Sequence, residues 1–218
     1  MQPQFWHDRW NAGQIAFHQG EVDRHLRQFW PRLGVKSSSP VFVPLCGKSV
    51  DLLWLRARGH SVTGVELSAG ALEAFCMENG VAARRRMLGD FMLYQTEALR
   101  LFCGDFYTLT ADVLGPVMGV YDRAALTSWM PELREGYVQR IAELTLPGTQ
   151  TLLITLEYPQ SQMKGPPFSV PGDSVHALYA RNHAVQELFS EDILASEPKF
   201  RSRGLTQLRE VGYRLVRL

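Results

Sequence analysis

The chain has 218 residues, 45% of them hydrophobic, with 23 basic against 22 acidic side chains and a formal net charge of +1. That balance gives no electrostatic case for nucleic acid or an acidic partner, and the length suits one globular domain with a substantial core. The opening residues MQPQFWHDRW hold no apolar signal core, no later run is long enough to cross a bilayer, and the three cysteines lack metal-ligand spacing, so a cytoplasmic protein with reduced thiols is expected.

Residues 5–17 gather Phe5, Trp6, Trp10 and Phe17, with Arg9 and His18 alongside. Such an aromatic stretch must cover something. A core-packing helix is the plain reading of Phe5 and Trp6, while Gly13 and Gly20 interrupt the pattern in a way that suits a mobile cover. Val22, Leu26, Phe29, Trp30 and Leu33 recur at helical spacing and predict an amphipathic helix over 22–33, in which His25 is structural.

Residues 40–66, PVFVPLCGKSVDLLWLRARGHSVTGVE, carry the organising pattern. A β-branched run at 41–43 enters a loop at Cys46 and Gly47, a helix carries Leu52, Leu53 and Leu55 to Gly59, and a second strand over 61–65 ends on Glu66. This is half of a nucleotide-binding α/β crossover, with Gly47 letting backbone approach a ligand and Glu66 placed to accept hydrogen bonds from ribose hydroxyls. Gly47-Lys48-Ser49 mimics the end of a phosphate-binding loop, but the glycine required five positions before Gly47 is Phe42. The three-glycine dinucleotide fingerprint is also missing, so a ligand without phosphates fits better. Cys46 reads as a small residue in a tight turn, since no basic partner sits beside it to make it a nucleophile.

Ser68 is an N-cap for a helix that stops near Asn79-Gly80. Arg84-Arg85-Arg86 reads as a solvated loop or helix end, because no aromatics interleave it. Gly-Asp-Phe occurs twice, at 89–91 and 104–106. The first enters a hairpin in which 92–96 pairs with 99–103; the second, with Asp105 and Phe106, follows a core strand, and an ordinary turn is the plain alternative for both aspartates. A fourth strand over 117–121 delivers Asp122 and Arg123 at its carboxyl end, either as a local ion pair or as chemistry. Pro131 and Glu132 open a helix that runs to Leu146. A central strand over 149–157 feeds a proline-rich loop over 158–172, followed by a short helix over 175–181 and two extended stretches, 184–193 and 205–216, that close the sheet as an antiparallel hairpin. Lys199, Arg201 and Arg203 lie between those stretches, within reach of a pocket. The six histidines show no HExxH spacing and no metal is expected.

S-adenosylmethionine, with adenine, ribose, a sulfonium and an amino-acid tail, is a ligand of the phosphate-free kind. VFVPLCGKSVDLLWLRARGHSVTGVELS resembles the cofactor core of the thiopurine S-methyltransferases, and FWHDRWNAGQIAFHQ, YDRAAL at 121–126 and GPPFSVP at 165–171 match their other blocks in order. The resemblance implies an α/β S-adenosylmethionine-dependent methyltransferase fold: a Rossmann-like, mostly parallel seven-stranded sheet with an antiparallel C-terminal strand and helices on both faces. It implies one domain over 1–218, with an N-terminal lid and helix at 1–34, a cofactor core at 40–158 and an acceptor loop and hairpin at 159–218. It places Trp10, Leu45, Gly47, Glu66, Asp105, Phe106 and Arg123 at the cofactor. Phe17, Arg123, Pro166, Pro167 and Phe168 fall at the acceptor. Arg123 and Asp122 are then the catalytic candidates, Arg123 favouring an anionic acceptor and Asp122 either taking a proton or orienting Arg123. Direct displacement onto the sulfur of a small aromatic or heterocyclic thiol follows, extending to selenium or tellurium species, by a monomer. An oxygen, nitrogen or metalloid acceptor, or a cofactor sensor without turnover, is the alternative.

Overall fold

A computed structural model describes residues 3–15 and 18–218. Phe17 therefore lies outside the described residues. The chain forms two compact units, Met1–Tyr121 and Asp122–Leu218. No helix among the described residues is long and apolar enough to cross a membrane.

The first unit begins with α1 (Pro3–Asn11) and α2 (Arg24–Phe29). The Asp23 carboxylate accepts from the amides of His25 and Leu26 at 2.9 Å each and so fixes where α2 starts. Pro31 sits in the 3-10 turn Trp30–Arg32 that follows, so the helix expected over 22–33 is shorter, trimmed by a cap at one end and a tightened turn at the other. His25 is fully buried within it.

Then come β1 (Val41–Val43), α3 (Asp51–Ala57), β2 (Val62–Glu66), α4 (Ala69–Glu78), β3 (Arg84–Leu88), β4 (Phe91–Gln95), β5 (Leu99–Cys103), α5 (Ala111–Leu114) and β6 (Gly119–Arg123). The strands lie in the order β3-β4-β5-β2-β1-β6. From β5 to β6 all pairs are parallel, whereas β3 and β4 run antiparallel to their neighbours. Every residue of β1 and β2 is buried, the signature of parallel strands covered on both faces.

Arg84, Arg85 and Arg86 correct the expectation of a loop or helix end: they form the exposed edge strand β3, folded onto β4 by a turn at Gly89-Asp90 in which Gly89 has φ +57°. Their charges lie on an edge that would otherwise present open ladder groups. Behind β1 the Trp30 indole donates to His60 Nε2 at 3.0 Å, and its ring covers Gly119 so closely that a Cβ there would sit 2.9 Å away. Glycine at 119 is thus a packing requirement.

The second unit starts inside β6, at Asp122. It holds α6 (Arg134–Leu144), β7 (Gln150–Glu157), α7 (Gly172–Tyr179), β8 (His183–Asp192), α8 (Pro198–Arg201) and β9 (Arg209–Arg217). Its strands are antiparallel in the order β7-β9-β8, with Leu153 opposite Tyr213 and Val185 opposite Leu215. Tyr158, Met163, Ile193, Phe200, Leu205 and Leu208 pack as a separate small core beneath the loop over 158–172. The described residues therefore contain nine strands where seven were expected. The two extra strands are the β3–β4 hairpin, one arm of which the sequence had suggested.

Candidate active site

In the first unit, the loop after β1 is built around Glu66. Cys46 donates its amide to the Val65 carbonyl at 2.9 Å, extending the β1–β2 ladder one step past the strand. The Glu66 carboxylate then receives the Gly47 amide on Oε2 at 2.9 Å and the Ser68 amide on Oε1 at 2.8 Å. One bond fixes the loop and the other fixes the start of α4, whose cap is Ser68. Glu66 is buried, and burial raises its pKa while the amide bonds oppose the rise. Each oxygen holds a second lone pair, so the carboxylate remains a bidentate acceptor for a vicinal diol.

Strain and packing keep that loop close to its ligand side. Leu45 has φ +47° and Gly47 φ +53°; a left-handed conformation at a leucine costs about 1–2 kcal/mol and points to a constraint of function. The Trp10 indole, from α1, lies over Gly47, with its Cζ2 3.2 Å from where a Cβ would be. Lys48 bonds both Glu78 oxygens, at 2.7 and 3.0 Å, and ties the loop to the end of α4. Beneath, Cys46 tucks against Gly64, where a Cβ would meet its Sγ at 2.6 Å. Burial pushes the Cys46 thiol well up, with the Glu66 charge adding to it, which suits a packing residue.

The neighbouring strand end supplies Asp105 and Phe106. Gly104 donates to the Glu66 carbonyl at 2.9 Å, bringing the carboxyl ends of β2 and β5 side by side. Asp105 is exposed and caps the 3-10 turn Phe106–Thr108 by accepting from the Tyr107 amide at 2.9 Å. Phe106 is buried. Trp10, Leu45, Gly47, Glu66, Asp105 and Phe106 thus all fall in the first unit, on or against the loops after β1, β2 and β5.

In the second unit, Asp122 is buried at the end of β6. Its Oδ1 accepts from the Leu126 amide at 3.1 Å and its Oδ2 from the Tyr137 hydroxyl at 2.7 Å. Burial pushes this carboxyl up to about 6, against the pull of the tyrosine and backbone donors. The bonds close a tight corner in which Ala124 has φ +64° and from which half-buried Arg123 projects. The corner runs into the 3-10 turn Leu126–Ser128, and the Thr127 carbonyl accepts the Phe168 amide at 2.7 Å. Phe168 is buried with its ring against Gly165, and the Pro167 carbonyl accepts from the Tyr158 hydroxyl. Asp122, Arg123, Pro167 and Phe168 are therefore joined by one run of turns and hydrogen bonds. Gly64, Tyr137 and Thr127 were not singled out from the sequence, and Lys48 entered only through the rejected phosphate-loop reading, because their work depends on partners distant in the chain.

Parallel core strands, a close-approach loop after the first and a buried acidic acceptor after the second define a nucleoside-binding α/β protein of the S-adenosylmethionine-dependent methyltransferase class. A solved structure of that class from Anabaena variabilis superposes with a TM-score of 0.70 at 14% identity, over 99% of this chain and 95% of the other. The family model for thiopurine S-methyltransferase matches residues 1–218. Proteins named thiopurine S-methyltransferase from Pseudomonas fluorescens and Bordetella petrii are 46% and 45% identical, over 99% and 100% of this chain and 99% of each relative. The chain belongs to the thiopurine S-methyltransferase family.

Proposed function

We propose that this chain is a thiopurine S-methyltransferase, which places a methyl group from S-adenosylmethionine on the sulfur of small aromatic or heterocyclic thiols and, by the same soft-nucleophile chemistry, on selenium or tellurium species. Family membership over residues 1–218 gives the class, and the observation that carries the reading is the Glu66 carboxylate pinned beside Gly47. When bound, S-adenosylmethionine supplies a methyl group already activated by its sulfonium.

The chain's own residues hold and orient. Glu66 accepts from the ribose hydroxyls, Asp105 and Phe106 receive the adenine, Leu45 and Gly47 offer backbone to the amino-acid tail, and Trp10 covers the site. Arg123 holds the acceptor as its anion, and Pro167 and Phe168 wall the acceptor's side. Asp122, bonded through its two oxygens to Leu126 and Tyr137, orients the Arg123 corner. One methyltransferase domain, acting as a cytoplasmic monomer, completes the reading.

The test is S-adenosylhomocysteine formation from S-adenosylmethionine and a panel of aryl thiols and thiopurines, with matched phenols and amines. Turnover confined to the sulfur acceptors is expected. Cofactor binding without turnover would make the chain a sensor, and turnover on phenols or amines would overturn the acceptor class.

A further inference from the structure

We propose that Arg134, the first residue of α6, is a positioning residue that sets the width of the acceptor slot by holding the Arg123 corner and the Phe168 wall at a fixed separation. The inference rests on the reading of Arg123 and Phe168 as acceptor-facing.

Arg134 is buried, with 4% of its surface exposed. Its Nε donates to the Trp129 carbonyl at 3.2 Å and an Nη to the Ser169 carbonyl at 2.9 Å. Trp129 ends the turn that leaves the Arg123 corner, and Ser169 follows Phe168 in the loop over 158–172. One rigid, planar guanidinium therefore spans both sides of the slot, a task that a flexible ammonium with a single point of charge performs poorly.

Removing a cation from water is costly, so its retention inside the second unit calls for a return. The surroundings of Ser169 indicate what that is. Its amide donates to Gln160 Oε1 at 2.9 Å, its hydroxyl accepts the Tyr158 amide at 3.0 Å, and its carbonyl receives Arg134. One residue to either side, Phe168 donates to Thr127 at 2.7 Å and Val170 to Leu156 at 2.8 Å. This proline-rich segment is a braced wall, and Arg134 is the only one of these braces that also reaches Trp129 through a side chain. Bracing of this kind fixes a planar acceptor's approach before it binds, which lowers the ordering cost of binding.

The variants are Arg134→Met, which removes both links, and Arg134→Lys, which keeps the charge and can make one. The expected result for Arg134→Met is a KM for thiols raised about tenfold or more, as befits the loss of charge-assisted bonds, with kcat at saturation nearly kept and cofactor affinity unchanged. Arg134→Lys should recover part of the KM. Independently of turnover, trypsin should cut after exposed Lys164 markedly faster in the variants than in the parent. An unchanged KM together with an unchanged cutting rate overturns the proposal. A fall in kcat with KM unchanged in both variants, with no rescue by lysine, marks a general structural role and also overturns it. Should Arg134→Met fail to fold, Arg134→Lys carries both measurements. If the parent itself methylates no thiol, the acceptor reading fails and the proposal with it; if the parent is active and the variants match it, only the proposal fails.

Discussion

Replacing Glu66 by alanine removes a buried acceptor to which two amides are bonded at 2.8 and 2.9 Å. If the free lone pairs take two ribose hydroxyls, the variant loses two hydrogen bonds to a charged acceptor, each worth about 1.5–3 kcal/mol. Even the lower figure for the pair, about 3 kcal/mol, corresponds to roughly a hundredfold weaker cofactor binding. Isothermal titration with S-adenosylhomocysteine measures it directly. Glu66→Gln should fall between the two, because its amide group turns a donor toward either Gly47 or Ser68, which also donate. A decisive control is a cofactor analogue lacking the ribose hydroxyls, which the parent and Glu66→Ala should bind almost equally, since the contact removed by one change is already gone in the other. A Glu66→Ala protein that keeps its circular dichroism and binds within about threefold of the parent, a difference under about 1 kcal/mol, would refute the ribose assignment.

Asp122→Asn should flatten part of the pH dependence of stability. Because the folded carboxyl is raised to about 6 from an ordinary 3.8, the folded state binds the proton more tightly, so its contribution is fully present below the lower value and lost as pH rises through the upper one; the gap is worth about 3 kcal/mol. Urea unfolding from pH 3 to 8 checks this, and parallel curves for both proteins would contradict it. Gly64→Ala forces a Cβ to within 2.6 Å of Cys46 Sγ and 3.0 Å of Leu101 and should destabilise by about 1–3 kcal/mol. Adding Cys46→Ala should restore part of that loss, and simple additivity in the double variant would show that Cys46 is not the obstacle. Arg123→Ala should lower kcat by about a hundredfold, the scale of an electrostatic contact to the reacting group. The loss should be greatest for the least acidic thiols, and an equal loss across acceptors of different acidity would remove its role in favouring the anion.

The short-range parts of the fold were legible in the sequence because their signals are local. Val41, Phe42 and Val43, the loop glycine and a carboxylate nineteen positions later announce the crossover, and the bond from Gly47 to Glu66 at that same separation is its realisation. The β3 strand was not legible, since an edge strand of three arginines has neither the alternation nor the apolar content by which strands are read. Arg134 was equally hidden. At the start of a helix an arginine looks solvated, and only the folding of Ser169, 35 residues on, gives it a buried partner. Tyr137 is similar: it reads as one more apolar position of α6 until its hydroxyl meets Asp122.

The three cysteines have a bearing on the chemistry proposed for this chain. All are held toward the protonated form by burial: Cys46 well above its ordinary value, Cys103 pushed up to about 11, and Cys76 raised. At neutral pH a thiol held at about 11, as Cys103 is, is ionised in only about one molecule in ten thousand. A catalyst whose substrates are thiols works among their oxidised disulfides and beside a bound methyl donor, and an ionised cysteine near the cofactor loop would be exposed to both. Keeping its own sulfur in the unreactive form lets the protein discriminate by ionisation as well as by shape: the sulfur that becomes an anion there is the visitor's.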